Sequence, residues 1–371
     1  MKKWTSTLSI ENRQDLKNSP FLQDIFTENS IFFDIETTGF SPANTQLYLI
    51  GCATRKGFEI TIEQYFAEDK QDEKQLLISF LELLEDYQII LTFNGIGFDI
   101  PYIKAKCNRY QLMESFSDKK YIDLFKIVSG LKFLFKLPNY KQKTIEDFLG
   151  IHRNDTFNGG ELIQVYQEYV QCPNEQQLFL LKQHNYEDVL GMFDLLPILS
   201  YHHFITGGYT ISSIESNLYI DYDGIEQKEL LFSLVIETPL PKRVSCCFEG
   251  CYLTAAGNEA KLKIPLFEGE LKFFFHNYKD YYYLPIEDTA IHKDVAAYVD
   301  KAHRKKATAT TCYTRKESIF LPQYELIVEP AFRKQLKDKI SYFELTDDFI
   351  QSDLLLQNYI QHIFSLICAS K

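Results

Sequence analysis

Two carboxylates separated by one residue mark the part of this chain that is best suited to chemistry. In residues 31–39, Asp34 and Glu36 interrupt an apolar stretch that alternates as a buried strand does. Because every second side chain of a strand leaves the same face, both carboxylates point the same way. Buried carboxylates repel each other and lose hydration, and a divalent cation with oxygen ligands removes that conflict. The pair indicates a metal site, although an isolated Asp-x-Glu also occurs on exposed edge strands.

A third carboxylate follows the next apolar strand. Residues 89–93 are a continuous apolar run, which is typical of a strand that is covered on both faces. The run ends in the turn residues Asn94 and Gly95, and Asp99 falls where a helix is predicted to begin. Ligands of α/β folds bind at this carboxyl edge of the sheet, but an Asp at a helix start is also an ordinary N-cap.

A histidine and an aspartate lie one helical turn apart later in the chain. Pro173 and Asn174 open a predicted helix, and His184 and Asp188 are four residues apart on one of its faces. Such a pair is usually a hydrogen bond or an ion pair at the surface. This one borders the apolar side of the helix, so burial beside a site is the competing interpretation.

Alternating strands and helices are predicted around these residues. Residues 47–54 and 58–66 are expected to be antiparallel strands, because the three residues between them suffice only for a hairpin turn. Asp72 is expected to cap the following helix. Further elements are predicted as a strand at 121–124 and helices at 144–149 and 161–170.

Three segments are predicted for the whole chain. Residues 1–30 are a polar extension with one short helix after Pro20, residues 31–205 are an α/β domain, and residues 209–371 follow a Gly-Gly linker. The last segment is predicted to be a β-rich α+β domain. Its expected strands are 218–222, 229–237, 261–265 and 270–275, and its expected helices are 288–307 and 348–367.

Composition and charge limit the classes of function. The chain has 371 residues, a net charge of −12 and 8 cysteines without a C-x-x-C pair, which argues against a disulfide scaffold or a zinc site. No apolar run is long enough to span a membrane and no signal peptide is expected, so a cytoplasmic protein without membrane contact is predicted. The negative charge disfavours indiscriminate binding to nucleic acid.

Two local basic segments run against that overall charge. One covers residues 104–143 and the other residues 293–316, and each is either a solvated surface or a track for phosphates. Tyr281, Tyr282 and Tyr283 precede the second segment. Their rings would be able to stack on bases, but aromatic side chains in a β-rich domain are more often part of the core.

The three acidic stretches together resemble the DEDD (DnaQ-like) superfamily of RNase H-like 3′–5′ exonucleases. The runs 34–39, 94–99 and 184–188 are similar to its first, second and third motifs. The sequence between them is similar to the narrower YprB-like ribonuclease H-like family, and the resemblance covers residues 31–200. The spacing from His184 to Asp188 is that of the superfamily's tyrosine-type subgroup, whereas the residue is the histidine of the other subgroup.

The resemblance implies both a fold and an activity. The fold is an RNase H-like mixed sheet flanked by helices, and the activity is hydrolysis of phosphodiester bonds at the 3′ end of DNA or RNA. Two Mg²⁺ or Mn²⁺ ions would be bound, with His184 as general base and Thr37, Thr38 and Asn94 binding the substrate. The implied metal ligands are Asp34, Glu36, Asp99 and Asp188.

Two other functions stay open from the sequence. One is a catalytically decayed RNase H-like protein that binds nucleic acid or acts as a scaffold, although the four retained carboxylates argue against decay. The other is an RNase H-type endonuclease with the same metal chemistry. The choice between DNA and RNA depends on contacts to the 2′-hydroxyl, which the sequence does not reveal.

Overall fold

The chain was analysed as a computed structural model, which describes residues 1–12, 20–151, 159–220 and 223–369. The described residues divide into two compact units. The first comprises Met1–Phe204 and Thr238–Lys242, and the second comprises Ile205–Glu237 and Arg243–Lys371. The division at residues 30, 205 and 209 that the sequence suggests stays a prediction. Within the described residues, no helix is long and apolar enough to cross a membrane.

The first unit is built on a mixed sheet. Its strands are β1 (Lys2–Ser9), β2 (Ser30–Thr37), β3 (Leu47–Lys56), β4 (Glu59–Phe66), β5 (Ile89–Thr92) and β6 (Lys120–Asp123). They lie in the order β1-β4-β3-β2-β5-β6. The pairs among β1, β4, β3 and β2 are antiparallel, and β5 and β6 extend the sheet in parallel with β2. The predicted hairpin of β3 and β4 and the predicted strands β5 and β6 are confirmed.

Helices follow the strands of the first unit. They are α1 (Pro20–Ile25), α2 (Glu73–Glu85), α3 (Asp99–Tyr110), α4 (Leu124–Gly130), α5 (Lys132–Phe135), α6 (Gln142–Leu149), α7 (Gly159–Gln171), α8 (Glu175–Leu195) and α9 (Leu199–Ile205). α8 begins as predicted, since the Asn174 side chain accepts hydrogen bonds from the N–H groups of Gln176 and Gln177. Asp72 stands at the N-cap position of α2 but makes no side-chain cap bond. The predicted α/β fold with an RNase H-like mixed sheet is confirmed.

The strand β2 is covered on both faces. On one face Ile31, Phe33 and Ile35 pack into the apolar core formed with α2 and α3. On the other face Phe32 stacks on Phe26 at 4.9 Å, and Phe193 of α8 meets Phe32 edge-on at 4.7 Å. The strand alternation therefore directs Asp34 and Glu36 to the face that α8 covers.

Strand β1 is an element that the sequence pattern did not indicate. It pairs with β4 over its whole length, from Lys2 opposite Phe66 to Ser9 opposite Glu59. Its side chains alternate between half-buried and exposed, but the half-buried set includes Lys2 and Ser6. Polar residues on both faces are characteristic of an edge strand, and they remove the apolar alternation by which a strand is predicted.

The second unit is rich in strands, as predicted. One sheet has the order β7-β8-β9, with β7 (Tyr209–Ile220), β8 (Glu226–Phe248) and β9 (Cys251–Pro265). A second sheet has the order β10-β14-β15, with β10 (Phe267–Phe274), β14 (Tyr313–Gln323) and β15 (Ser341–Glu344). A third has the order β12-β11-β13, with β11 (Tyr281–Leu284), β12 (Thr289–His292) and β13 (Lys305–Lys306). Asp221 and Tyr222, at the end of the strand predicted at 218–222, lie outside the described residues.

Two helix predictions in the second unit had different outcomes. The helix predicted at 348–367 is present as α11 (Asp347–Ile350) and α12 (Asp353–Ala369), with a break between them. The helix predicted at 288–307 is wrong, because only α10 (Lys293–Ala296) in that range is α-helical. The ends of the range are strands that pair with β11, with His292 opposite Tyr281 and Lys306 opposite Tyr282. Pairing with a distant strand overrode the local pattern there.

Gly51 allows α8 to pack closely on the sheet. It lies on β3 opposite Asp34, and a Cβ atom at this position would be 2.1 Å from Asn185 Oδ1 and 2.8 Å from Val189 Cγ2. Both neighbours belong to α8 and are buried. The contact is too close for a side chain, so the absence of one at Gly51 sets the distance between α8 and the strands.

We expect Gly51→Ala to lower the free energy of unfolding by about 1–3 kcal/mol, because the added methyl group overpacks the contact with Asn185 and Val189. Urea denaturation measures this change. Gly130→Ala is the matched control, since nothing lies within 4 Å of the position where its Cβ would be. Equal stability of the two variants would contradict the close approach.

Candidate active site

Three side chains from two elements converge on one face of the sheet. His184 Nε2 of α8 lies 3.6 Å from Glu36 Oε1 of β2 and 3.2 Å from Asp188 Oδ2, one turn further along α8. Their ligand atoms all lie within 4.8 Å of one another, and the side chains are largely buried. Carboxylate oxygens with an imidazole nitrogen form a donor set that suits a divalent cation.

Asp34 is held beside this cluster by a chain of buried amides. Asn185 Nδ2 of α8 donates to Asp34 Oδ2 at 3.3 Å, and Gln64 Nε2 of β4 donates to Asn185 Oδ1 at 3.0 Å. Gln64 Nε2 also lies 2.9 Å from the carbonyl oxygen of Lys182. Asn185 and Gln64 are 0 % and 2 % exposed. Buried polar groups that are fully hydrogen-bonded fix one geometry, so the amide chain orients the Asp34 carboxylate.

Asp99, which follows the neighbouring strand β5, also contacts β2. It is the first residue of α3, it is 6 % exposed, and its Oδ1 accepts a hydrogen bond of 3.2 Å from the backbone N–H of Ile35. Pairing of β2 with β5 ends at Phe32, so this carboxylate meets β2 beyond the end of the parallel ladder. Burial raises the pKa of Asp99 to about 7, and the nearby charge of Asp123 adds to the rise, while the Ile35 N–H opposes it.

Asp123 fixes the turn that carries Asn94 through hydrogen bonds. The sequence pattern did not mark it as a site residue. The Asp123 carboxylate accepts hydrogen bonds from the N–H groups of Asn94 at 2.9 Å and Ile96 at 3.1 Å, and it caps α4 by accepting from Lys126 N–H. Asn94 has a φ of 65°, in the left-handed region that Asn tolerates better than most residues. The available signal was the position of Asp123 at the end of a predicted strand, where an acidic residue is expected to cap the next helix.

The two threonines after Glu36 hold the loop that follows β2. Thr37 Oγ1 donates to the carbonyl oxygen of Gly39 at 2.9 Å, and Thr38 Oγ1 accepts from the N–H of Gln46 at 2.8 Å. These bonds give both hydroxyls a structural role. Binding of substrate by Thr37, Thr38 and Asn94 stays a prediction.

A sequence model of the RNase H superfamily matches residues 31–200, which carry all of these side chains. Residues 31–200 thus have an RNase H-like fold, and this part of the chain is called the RNase H domain. The match begins one residue after the start of β2 and ends within α9, so it contains β2 to β6 and α8 but not the edge strand β1.

Short stretches of this chain are also similar to curated DNA polymerases. DNA polymerase 1 of Sulfurisphaera ohwakuensis is 47% identical over 45 residues, which are 12% of this chain and 5% of the polymerase. The DNA polymerase of Methanocaldococcus jannaschii is 42% identical over 40 residues, which are 11% of this chain and 2% of that protein. The similarity thus spans a small fraction of either relative.

Several solved structures align with about half of the chain at low identity. The family B DNA polymerase from Pyrobaculum calidifontis has 18% identity and a TM-score of 0.37, covering 46% of this chain and 25% of its own. E. coli exonuclease I in complex with a dT13 oligonucleotide has 13% identity and a TM-score of 0.29, covering 56% and 55%. The EXO domain of Aedes aegypti Nibbler has 16% identity and a TM-score of 0.32, covering 49% and 84%.

The predicted acidic residues of the RNase H domain either lie on β2 or lie close to it. Glu36, His184 and Asp188 form one cluster. Asp34 leaves the same face of β2 as Glu36 and accepts a hydrogen bond from Asn185, whereas Asp99 accepts one from the backbone N–H of Ile35. Within the described residues, Asp34 and Asp99 fall outside the group whose ligand atoms lie within 4.8 Å. The roles of all four carboxylates as metal ligands, and of His184 as general base, stay predictions.

We expect Asp99→Asn to stabilise the metal-free protein increasingly as the pH rises. The pKa of this carboxyl is 3.8 in the unfolded chain and about 7 in the fold. The wild type therefore loses stability as the pH increases between these two values. The amide removes the ionisation and keeps an oxygen for the Ile35 N–H. The advantage of the variant should therefore grow by about 3 kcal/mol between pH 5 and pH 8.

Urea denaturation in EDTA at the two pH values measures this advantage. Asp118→Asn is the matched control, because Asp118 is exposed and the same chemical change should leave its pH dependence as in the wild type. A constant difference between Asp99→Asn and the wild type at both pH values would show that the carboxyl is already ionised in the fold at pH 5.

Proposed function

We propose that the RNase H domain is a metal-dependent nuclease that removes nucleotides from the 3′ end of DNA or RNA. The convergence of Glu36, His184 and Asp188 carries this proposal, with Asp34 on the same face of β2. An acidic cluster around an imidazole, largely buried, is costly unless a cation or a proton compensates it.

The donor set fits two divalent cations. Asp34, Glu36, Asp99 and Asp188 would hold Mg²⁺ or Mn²⁺ through carboxylate oxygens, which are the ligands that these ions prefer. Bound there, the ions would supply Lewis-acid stabilisation of the charge that develops on the phosphate. Asn185 supports this arrangement, because its amide fixes the orientation of the Asp34 carboxylate.

His184 is proposed as the general base. Its Nε2 faces the cluster, 3.2 Å from Asp188 Oδ2. A neutral imidazole at this position would accept the proton of the attacking water, and an ordinary imidazole titrates near neutral pH. The neighbouring carboxylates would stabilise the imidazolium that this proton transfer forms.

Two phenylalanines support the end of a nucleic-acid strand as the substrate. Phe40 follows Thr37, Thr38 and Gly39, and 89 % of its surface is exposed. Its ring meets that of Phe98 at 5.9 Å, and Phe98 directly precedes Asp99. Exposed aromatic rings stack on unpaired bases, so this pair would favour a frayed or single-stranded end over an intact duplex.

We expect Asp34→Asn to abolish hydrolysis while the protein stays folded. The asparagine removes one of the carboxylate charges that would hold the ions, but its oxygen still accepts the amide hydrogen of Asn185. The assay uses purified protein, Mg²⁺ or Mn²⁺, and end-labelled single-stranded and duplex DNA and RNA. Asp118→Asn is the control and should keep full activity.

The products of this assay separate the alternatives. Stepwise shortening from the 3′ end supports the exonuclease, whereas internal fragments from the first time points would instead indicate an endonuclease. Near wild-type hydrolysis by Asp34→Asn would show that the metal assignment is wrong. A wild-type protein that hydrolyses nothing and gains no stability from Mn²⁺ would fit the decayed scaffold, since a saturating ion at about 100 times its Kd adds about 2.7 kcal/mol.

His184→Gln tests the base separately from the metal site. We expect a loss of about 100-fold or more in kcat, because the proton acceptor is removed while the four carboxylates remain. The stabilisation by Mn²⁺ in thermal unfolding should be retained. His276→Gln is the control at an exposed histidine. A parallel loss of kcat and of Mn²⁺ stabilisation would make His184 a metal ligand.

A further inference from the structure

The three consecutive tyrosines of the second unit are not equivalent. Tyr281 and Tyr283 belong to a small apolar core with Ala290, Ala307 and Cys312. The Tyr281 ring stacks on Phe275 at 4.4 Å, and Tyr283 donates a hydrogen bond to Asp288. Because side chains alternate along β11, Tyr282 leaves the opposite face of this sheet.

Tyr282 lies among cations. The Arg304 guanidinium is 5.0 Å from the centre of its ring, and Lys306 is its partner across the strand pair of β11 and β13. Residues paired across strands share a face, so Tyr282 and Lys306 are neighbours on it. An aromatic ring with a stacked guanidinium offers a flat surface that binds a base through stacking and cation–π contact.

Some cations of the basic segment 293–316 form ion pairs with carboxylates, and others do not. Lys293 is paired with Asp280 at 2.7 Å, and Arg315 with Glu270 at 3.2 Å. Lys301, Lys305 and Lys306 are exposed, and no ion pair involves them in the part of the chain that the structure describes. Lys305 is opposite Tyr283 and therefore leaves the other face of the sheet. The cations available on the Tyr282 side are Arg304 and Lys306, with Lys301 three residues before Arg304.

We propose that Tyr282, Lys301, Arg304 and Lys306 form a binding surface for single-stranded nucleic acid, here called the Tyr282 surface. The choice of ligand rests on the proposed nuclease function. Phosphates would contact the lysines and one base would stack on Tyr282 and Arg304. A concentration of unpaired positive charge in a chain of net charge −12 is complementary to a polyanion.

The lysines are tested by reversing their charge. The variant Lys301→Glu, Lys306→Glu is compared with Lys337→Glu, Lys339→Glu, which changes the net charge equally at exposed lysines elsewhere in the second unit. Glutamate also keeps the edge strand β13 charged, so the edge is not opened to pairing with another chain. Fluorescence anisotropy measures binding of labelled dT and U strands of about 20 nucleotides to the full chain in EDTA.

We expect the first variant to bind at least about tenfold more weakly at low salt. Its slope of log affinity against log salt concentration should be reduced by about 1.4, because each of the two lost phosphate contacts contributes about 0.7 for a single strand. The control variant should change both quantities less. The comparison of dT with U strands shows whether the surface distinguishes DNA from RNA.

Tyr282 is tested by Tyr282→Ala and Tyr282→Phe. Alanine removes the stacking surface and should weaken binding about fivefold or more, whereas phenylalanine keeps the ring and should bind as the wild type does. The salt slope should be unchanged in both variants, since no charge is altered. Equal binding by the alanine variant and the wild type would remove Tyr282 from the surface.

Hydrolysis of a short labelled oligonucleotide by the same variants keeps this proposal distinct from the proposed function. Intact hydrolysis with unchanged affinity and salt slope in the lysine variant would overturn the Tyr282 surface and leave the nuclease standing. Equal weakening in the two lysine variants would overturn it as well, because overall charge would then explain the loss. Absence of hydrolysis in the wild type, with binding lost only in the first lysine variant, would overturn the nuclease and support the surface.

Discussion

The close packing of α8 on β2 and β3 is the constraint on which the candidate active site depends. Gly51 lacks the side chain that would collide with Asn185 and Val189. The helix can therefore present Asn185 Nδ2 at 3.3 Å from Asp34 Oδ2 and His184 Nε2 at 3.6 Å from Glu36 Oε1, with Asp188 in the same cluster. A helix held further from the sheet by one methyl group would displace the buried amide that orients Asp34.

The buried polar groups of the RNase H domain serve the same geometry. Gln64 on β4 satisfies Asn185, Asn185 satisfies Asp34, and Asp99 satisfies the Ile35 N–H beyond the last pair of β2 with β5. Each bond joins elements that are distant in the chain. A network of this kind is costly if one member is missing, because the remaining buried groups lose their partners. Hydrogen bonds thus orient the Asp34 and Asp99 carboxylates of the domain.

Strand geometry places the three consecutive tyrosines of the second unit on two different faces of β11. Of three identical neighbours, two tyrosines complete a core and the third lies on the other face beside unpaired cations. The basic segment is divided as well, since Lys293 and Arg315 are neutralised by Asp280 and Glu270. Of the seven cations in the segment 293–316 and the three tyrosines, the proposed Tyr282 surface contains four residues.

The sequence alone determined those features that follow from local backbone periods. The alternation in β2 placed Asp34 and Glu36 on one face, the four-residue spacing in α8 placed His184 and Asp188 on one face, and Asn94-Gly95 marked the turn before Asp99. These hold for any strand or helix of that sequence, because residue spacing fixes side-chain direction.

Only the tertiary structure decided which of these faces meet. It brought Glu36 to His184 across 148 residues of chain, recruited Asn185, Gln64 and Asp123, and added β1 to the sheet by pairing it with β4. It also turned much of the predicted helix at 288–307 into strands by pairing with β11. Contacts between distant elements depend on register and on packing volume, which no local pattern encodes. The local patterns therefore indicated the candidate site residues but not their partners.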